Sequence, residues 1–202
     1  MMKIVAVSDL HSNKNLYWKL CHKSGDILIV AGDLTHLGRE LEMTSALDQI
    51  QTMNFKHKII VFGNHEVEAN YNYYKEKYPD IIFLENEIVE VDGLKIYGSP
   101  YCKEFCSWGF PYYTQDECVD RTLPKEEVDI IITHEPPSHP KLSYVYEDLD
   151  IGNNELRKYL ENVDKNILVI TAHCHECGGQ STYIGKANCY NVAQKIREIY
   201  IG

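Results

Sequence analysis

The sequence predicts an α/β fold of two packed β-sheets with helices outside. Up to about residue 80, apolar runs of strand length alternate with segments of helical period, the pattern of crossovers onto a parallel sheet. Beyond Ile81 the runs shorten, and Asp92-Gly93 separates two of them as a hairpin turn, which implies antiparallel strands. In addition, five apolar runs end on carboxylate, amide or imidazole groups, the composition of a site built on a rigid sheet.

Taken in order, the first strand is expected over about Lys3 to Ser8, followed by a helix near Asn15 to Lys23 that Ser24-Gly25 closes. Asp26 to Val30 is the second strand. A helix near Glu40 to Asn54 places Met43, Ala46, Leu47, Ile50 and Met53 on one face by their three- and four-residue spacing. Lys58 to Phe62 is the third strand, and a tyrosine-rich helix is expected from Glu66 to Lys77, ended by Tyr78-Pro79. Short strands follow at Ile81 to Leu84, Ile88 to Val91 and Leu94 to Tyr97. Gly98 to Leu123 reads as irregular and aromatic. Val128 to Thr133 is a strand, Asn154 to Asn162 a helix, Ile167 to Thr171 a strand, and Ser181 to Ile201 holds two or three more short strands.

The length of 202 residues suits one domain, expected over 1–202. With 20 basic and 30 acidic residues the net charge is −10, which argues against sequence-independent grip on nucleic-acid phosphates. A small phosphorylated substrate stays compatible, because bound cations reverse the local potential. No apolar run approaches the roughly 20 residues needed to cross a bilayer. Seven cysteines in a chain of this length do not make a secreted disulfide scaffold. The expected setting is therefore reduced and cytoplasmic, without a membrane; the sequence is silent on oligomeric state.

The strand-end groups are ordinary ligands for first-row metals. Asp9-x-His11 alone is explained equally well by a surface carboxylate or a helix cap. Gly32-Asp33 is a sharp turn bearing a carboxylate with two oxygens for bridging, or simply a turn. In Gly63-Asn64-His65-Glu66, Asn64 offers a carbonyl oxygen, His65 a proton donor, and Glu66 a carboxylate to orient that imidazole; the plainer reading makes Asn64 a helix N-cap. His134 precedes Glu135-Pro136-Pro137, which ends regular structure at once. His173-x-His175 flanks Cys174.

In this order the motifs make the chain resemble the calcineurin-like metallophosphoesterases over almost its whole length. Tyr97-Gly98-Ser99-Pro100-Tyr101, the stretch from Glu104-Phe105-Cys106 to Trp108, and Thr133-His134-Glu135-Pro136-Pro137 are similar to the small metallophosphoesterase-domain (MPPED-type) branch. The resemblance implies a four-layer α/β/β/α sandwich of two mixed sheets flanked by helices, with two divalent metal ions at the sheets' C-terminal edge. Manganese is the first expectation, with iron, zinc, cobalt or nickel as alternatives. By motif, Asp9, His11, Asp33 and His175 would hold one metal; Asp33, Asn64, His134 and His173 the other, with Asp33 bridging. His65 would be the general acid or transition-state stabiliser and Glu66 its orienting carboxylate, at a position where many relatives carry Asp. Ala172 stands where the family usually has Gly.

The implied reaction is hydrolysis of a phosphodiester, such as a cyclic or other small nucleotide, by in-line attack of a hydroxide held between the metals. Three alternatives stand beside it: a catalytically silent nucleotide-binding protein on the same fold, a phosphomonoesterase or protein phosphatase, and a structural zinc module. The zinc module would use Cys102-x-x-x-Cys106 and Cys174-x-x-Cys177, with Cys118 and Cys189 available. Tyr101, Trp108, Phe110, Tyr112 and Tyr113 could stack a nucleobase or fill a satellite core under a long loop; the second reading is favoured.

Overall fold

A computed structural model describes residues 1–104, 112–113, 117–146 and 148–202. The first half alternates β1 (Met2–Val7), α1 (Lys14–Cys21), β2 (Gly25–Ala31), α2 (Glu40–Thr52), β3 (Phe55–Val61), α3 (Tyr71–Lys77) and β4 (Ile82–Phe83). Then come β5 (Glu87–Val91), β6 (Leu94–Ser99), β7 (Cys102–Lys103), β8 (Tyr112–Tyr113), α4 (Cys118–Thr122) and β9 (Ile130–Thr133). The chain continues through β10 (Tyr144–Tyr146), β11 (Leu149–Asp150), α5 (Asn154–Glu161) and β12 (Ile167–Thr171). It ends on β13 (Ser181–Ile184), β14 (Ala187–Asn191) and β15 (Arg197–Ile201).

Two mixed sheets result. One has the order β15-β1-β2-β3-β4, with β15 antiparallel and the rest parallel. The other has the order β13-β14-β12-β9-β6-β5, parallel except for β13 and β5. Alternation along each strand then fixes the layers, because successive side chains point to opposite faces. Ile27 and Ile29 face the other sheet, in one cluster with Ile96, Ile130, Ile132 and Ile170. Leu28 and Val30 face α1 and α2 through Leu20, Met43, Leu47 and Ile50. In the second sheet Ile131 and Val169 pack outward against Leu156 and Leu160 of α5. The central strands are buried on both faces, so they read as unbroken apolar runs. Each wholly buried aliphatic side chain contributes about 1.5–3 kcal/mol. The expected α/β/β/α sandwich is the observed fold.

Several elements depart from expectation, among them β7, β8 and α4, which fall in the stretch 98–123 read as irregular. The tyrosine-rich helix begins at Tyr71, not Glu66. The Glu66 carboxylate is captured by the backbone amides of Asp33 and Thr35 in another loop and of Gly63 in its own, and Asn70 caps the helix by accepting from the Tyr73 N–H. Asn64 is therefore not a helix cap. The small β10–β11 pair was not expected from the sequence; it is only three and two residues long. Trp108, Phe110 and Cys106 lie outside the described residues, as do the side chains of Tyr112 and Tyr113. Tyr101 is no bare stacking wall: its hydroxyl donates to Glu85 (3.0 Å), and the Arg121 guanidinium lies 4.9 Å from its ring centre. Among the described residues no helix is long and apolar enough to cross a membrane.

Candidate metal centre

β1, β2, β3, β9 and β12 are parallel within their sheets and end at a common edge, the usual location of sites in α/β sheets. The turns leaving them are forced into uncommon backbone conformations. Asp9 (φ 52°), His11 (φ 41°), Asp33 (φ 52°) and His173 (φ 64°) all occupy the left-handed region. Non-glycine residues there cost energy, and such strain collects at functional sites where the surroundings over-determine it. Inter-loop hydrogen bonds supply the restraint: Asp9 N donates to Gly32 O (3.1 Å) and His11 N to Asp33 O (3.0 Å). Close approach is equally demanding at Gly63, where a Cβ would fall on Asp33 Oδ1 and lie 2.7 Å from the Asp33 backbone nitrogen.

All seven expected ligands are brought together. His175 Nε2 lies 2.9 Å from Asp9 Oδ1 and 3.3 Å from His11 Nε2. His134 Nε2 lies 3.0 Å from Asn64 Oδ1. Asp33 Oδ2 stands between the two halves, 3.3 Å from His134 Nε2 and 3.8 Å from His11 Nε2. Its other oxygen accepts the His65 N–H at 2.9 Å. The His173 ring centre is 5.1 Å from that of His134, and the His173 N–H donates to Asp9 Oδ2 (3.3 Å). Among the described residues four triads have ligand atoms within 4.8 Å of one another: Asp9-His11-His175, His11-Asp33-His65, Asp9-Asp33-His134 and Cys102-His134-His173. Converging lone pairs of imidazole and carboxylate suit divalent cations. These clusters give the protein the capacity to hold one or two metal ions.

The imidazoles are aimed from behind. His134 Nδ1 lies 2.8 Å from Ala31 O, His11 Nδ1 3.3 Å from Thr35 O, and His65 Nδ1 2.8 Å from His36 O. A backbone carbonyl accepts only from a protonated nitrogen, so each contact leaves Nε2 toward the cluster. His175 Nδ1 faces the Gln194 side-chain amide at 3.3 Å. Sequence reasoning missed His36 and Thr35, because a main-chain carbonyl contact leaves no residue-type signature, and Gln194, whose side chain meets His175 from 19 residues further along the chain.

Glu66 is placed differently from the orienting role read from its motif. It is fully buried, and its carboxylate accepts from Asp33 N (2.9 Å), Gly63 N (2.9 Å), Thr35 N (3.1 Å) and Thr35 Oγ1 (3.0 Å). It ties the two metal-edge loops together, while the His36 carbonyl holds His65. Ala172 is buried in the inter-sheet core, where its methyl is accommodated. Cys118, Cys174, Cys177 and Cys189 are buried, and among the described residues no three-ligand group contains two cysteines.

The electrostatics are those of a charged cluster out of water. Burial alone would lower His134, but the Asp33 carboxylate outweighs it and raises the imidazole to about 10. Burial would raise Asp33; His134, His65 and His11 overcome it and hold the carboxyl well below the usual range. Burial, reinforced by His134, takes His173 down to about 4. Burial and the Asp33 charge push Glu66 up.

Comparison with known proteins agrees with this geometry. The model of the calcineurin-like phosphoesterase family matches residues 2–177, and the chain belongs to that family. It is 29% identical over 219 residues to metallophosphoesterase domain-containing protein 1 of Homo sapiens, covering 93% of this chain and 66% of the human protein. A protein of Emericella nidulans named "Probable rhamnogalacturonate lyase C" is 30% identical over 214 residues, covering 98% of this chain but only 19% of the fungal one. The chain thus spans under two thirds of either relative. A solved structure described as a novel archaeal phosphodiesterase superposes with a TM-score of 0.54 at 15% identity, covering 99% of this chain and 100% of that one, a likeness of fold.

Proposed function

We propose that this protein is a dinuclear metal-dependent phosphodiesterase acting on a small substrate, a cyclic or other small nucleotide being the first class to test. The observation that supports the proposal is the position of Asp33 Oδ2 near both His134 and His11, within a cluster that also holds Asp9, His175, Asn64 and His173. Two divalent cations bound there, manganese being the first to try, would acidify a water and offset charge gathering on phosphoryl oxygens.

The chain's own residues supply the rest. Asp33 and Asp9 orient the donor set, and Glu66 fixes the loops that carry Asp33 and Asn64. His65, with Nδ1 donating to the His36 carbonyl, presents Nε2 3.9 Å from Asp33 Oδ2 on the open side of the cluster. There, with both ring nitrogens carrying protons, it would donate a hydrogen bond or proton to the leaving or equatorial oxygen. A cavity of about 780 Å³ adjoins His173 and His175, lined in part by Lys103, Ile151 and Gly152 and by the acidic residues Glu104, Glu135, Asp150 and Glu176, and offers room for a substrate group beyond the phosphoryl centre.

The test is a panel of cyclic nucleotides, bis(p-nitrophenyl) phosphate, phosphomonoesters and single-stranded DNA with Mn²⁺-loaded protein. Diester turnover above monoester turnover is expected; failure on every diester contradicts the proposal. His65→Ala should retain both metals and lose about 10²–10⁴-fold in turnover; metal loss in that variant would remove the assigned role. Metal uptake should also be linked to protons. At neutral pH the metal-depleted site holds His134 protonated beside Asp33, and a ligating imidazole must be neutral. Affinity should rise as pH climbs toward about 10. Calorimetry in two buffers of different ionisation enthalpy should show proton release, and pH-independent affinity would contradict the assignment.

A further inference from the structure

We infer that Cys102 is an additional ligand, as thiolate, to the metal held by His134 and His173, giving that position a preference for zinc or cobalt over manganese. The inference rests on the proposed two-metal reading and concerns a residue outside its ligand set. Cys102 is 1% exposed, and its Sγ lies within 4.8 Å of ligand atoms of both His134 and His173. Its described polar contact is weak, Sγ to the Pro100 carbonyl at 3.8 Å.

The backbone fixes this placement. Ser99 of β6 pairs with Thr133 of β9, and His134 N donates to Ser99 O at 3.2 Å. Lys103 N then donates to Glu135 Oε1 at 2.9 Å. Residues on both sides of Cys102 are therefore pinned to residues on both sides of His134, and the thiol is delivered over the imidazole by two independent ties. A metal sits about 2.1 Å from a histidine nitrogen and about 2.3 Å from a thiolate sulfur, so one ion would span donor atoms up to about 4.4 Å apart, close to the spacing found here. As the sulfur–metal bond forms, the thiol proton leaves to solvent. Soft thiolate favours zinc or cobalt, whereas manganese prefers oxygen donors.

The experiment is a Co²⁺ titration of the metal-depleted chain followed by absorption spectroscopy, with Cys102→Ser, Cys102→Ala and Cys174→Ser alongside and circular dichroism to confirm folding. Wild type and Cys174→Ser should develop a sulfur-to-cobalt charge-transfer band in the near ultraviolet, and both Cys102 variants should lack it while still binding cobalt. Zinc affinity in Cys102→Ser should fall by at least about tenfold, a loss that removing even an outer partner of a ligand can cause, with manganese affinity little changed. Two equivalents of cobalt bound without the band, or a band that survives in Cys102→Ser, overturns the role of Cys102 and leaves the two-metal reading standing. No cobalt binding by wild type overturns both.

Discussion

Asp33→Ala is expected to abolish retention of both metals and to lower diester turnover by about 10³-fold or more, an effect of about 4 kcal/mol on the barrier, while the fold survives. Asp33 lies within reach of both halves of the cluster through an Oδ2 that is 3.3 Å from His134 Nε2 and 3.8 Å from His11 Nε2. The sandwich core does not depend on Asp33, because its side chain lies at the sheet edge outside the three apolar clusters. Asp33→Asn separates charge from shape: it keeps an oxygen for the His65 N–H yet should still bind metal poorly. Metal analysis after dialysis, turnover and circular dichroism check these outcomes together. Full metal content in Asp33→Ala would contradict the shared-ligand assignment.

Glu66→Ala should be the most destabilising substitution at the site. It strands three buried backbone N–H groups, from Asp33, Thr35 and Gly63, together with the Thr35 hydroxyl. Each stranded donor costs about 1–3 kcal/mol, so a loss of about 3 kcal/mol or more is expected. In a chain of this size that lowers Tm by roughly 6–12 °C. Glu66→Gln should fall between, since its NH₂ group meets donors where the second carboxylate oxygen accepted. Metal binding should weaken as well, because the loops bearing Asp33 and Asn64 lose their tie. Thermal melts of the metal-depleted variants decide the matter. An unchanged Tm accompanied by a turnover loss like that of His65→Ala would restore Glu66 as a partner of the imidazole.

These two residues mark what sequence could and could not show. Asp33 follows a run buried on both faces of a parallel sheet, so its place at a strand end, and those of Asp9, His134 and His173, followed from apolar patterning. The two packed sheets with helices outside followed from the alternation of strand-length and helical segments and from the Asp92-Gly93 hairpin. Glu66 was harder. Its side chain points back to backbone amides 31 and 33 residues earlier in the chain, and no pattern of residue types records such a contact. The same capture delays the helix to Tyr71. His36 and Thr35 aim His65 and His11 through main-chain oxygens that every residue type possesses. Cys102 was legible only as half of a cysteine pair, and it became a candidate ligand once β6 and β9 placed it beside His134.

The central claim is that two metal ions share Asp33 in a hydrolytic site. Titration of the metal-depleted chain with Mn²⁺, following hydrolysis of bis(p-nitrophenyl) phosphate, tests it most directly. Activity is predicted to rise until two equivalents per chain are bound and then to level off. Saturation at one equivalent, or no hydrolysis with the site fully loaded, would contradict it.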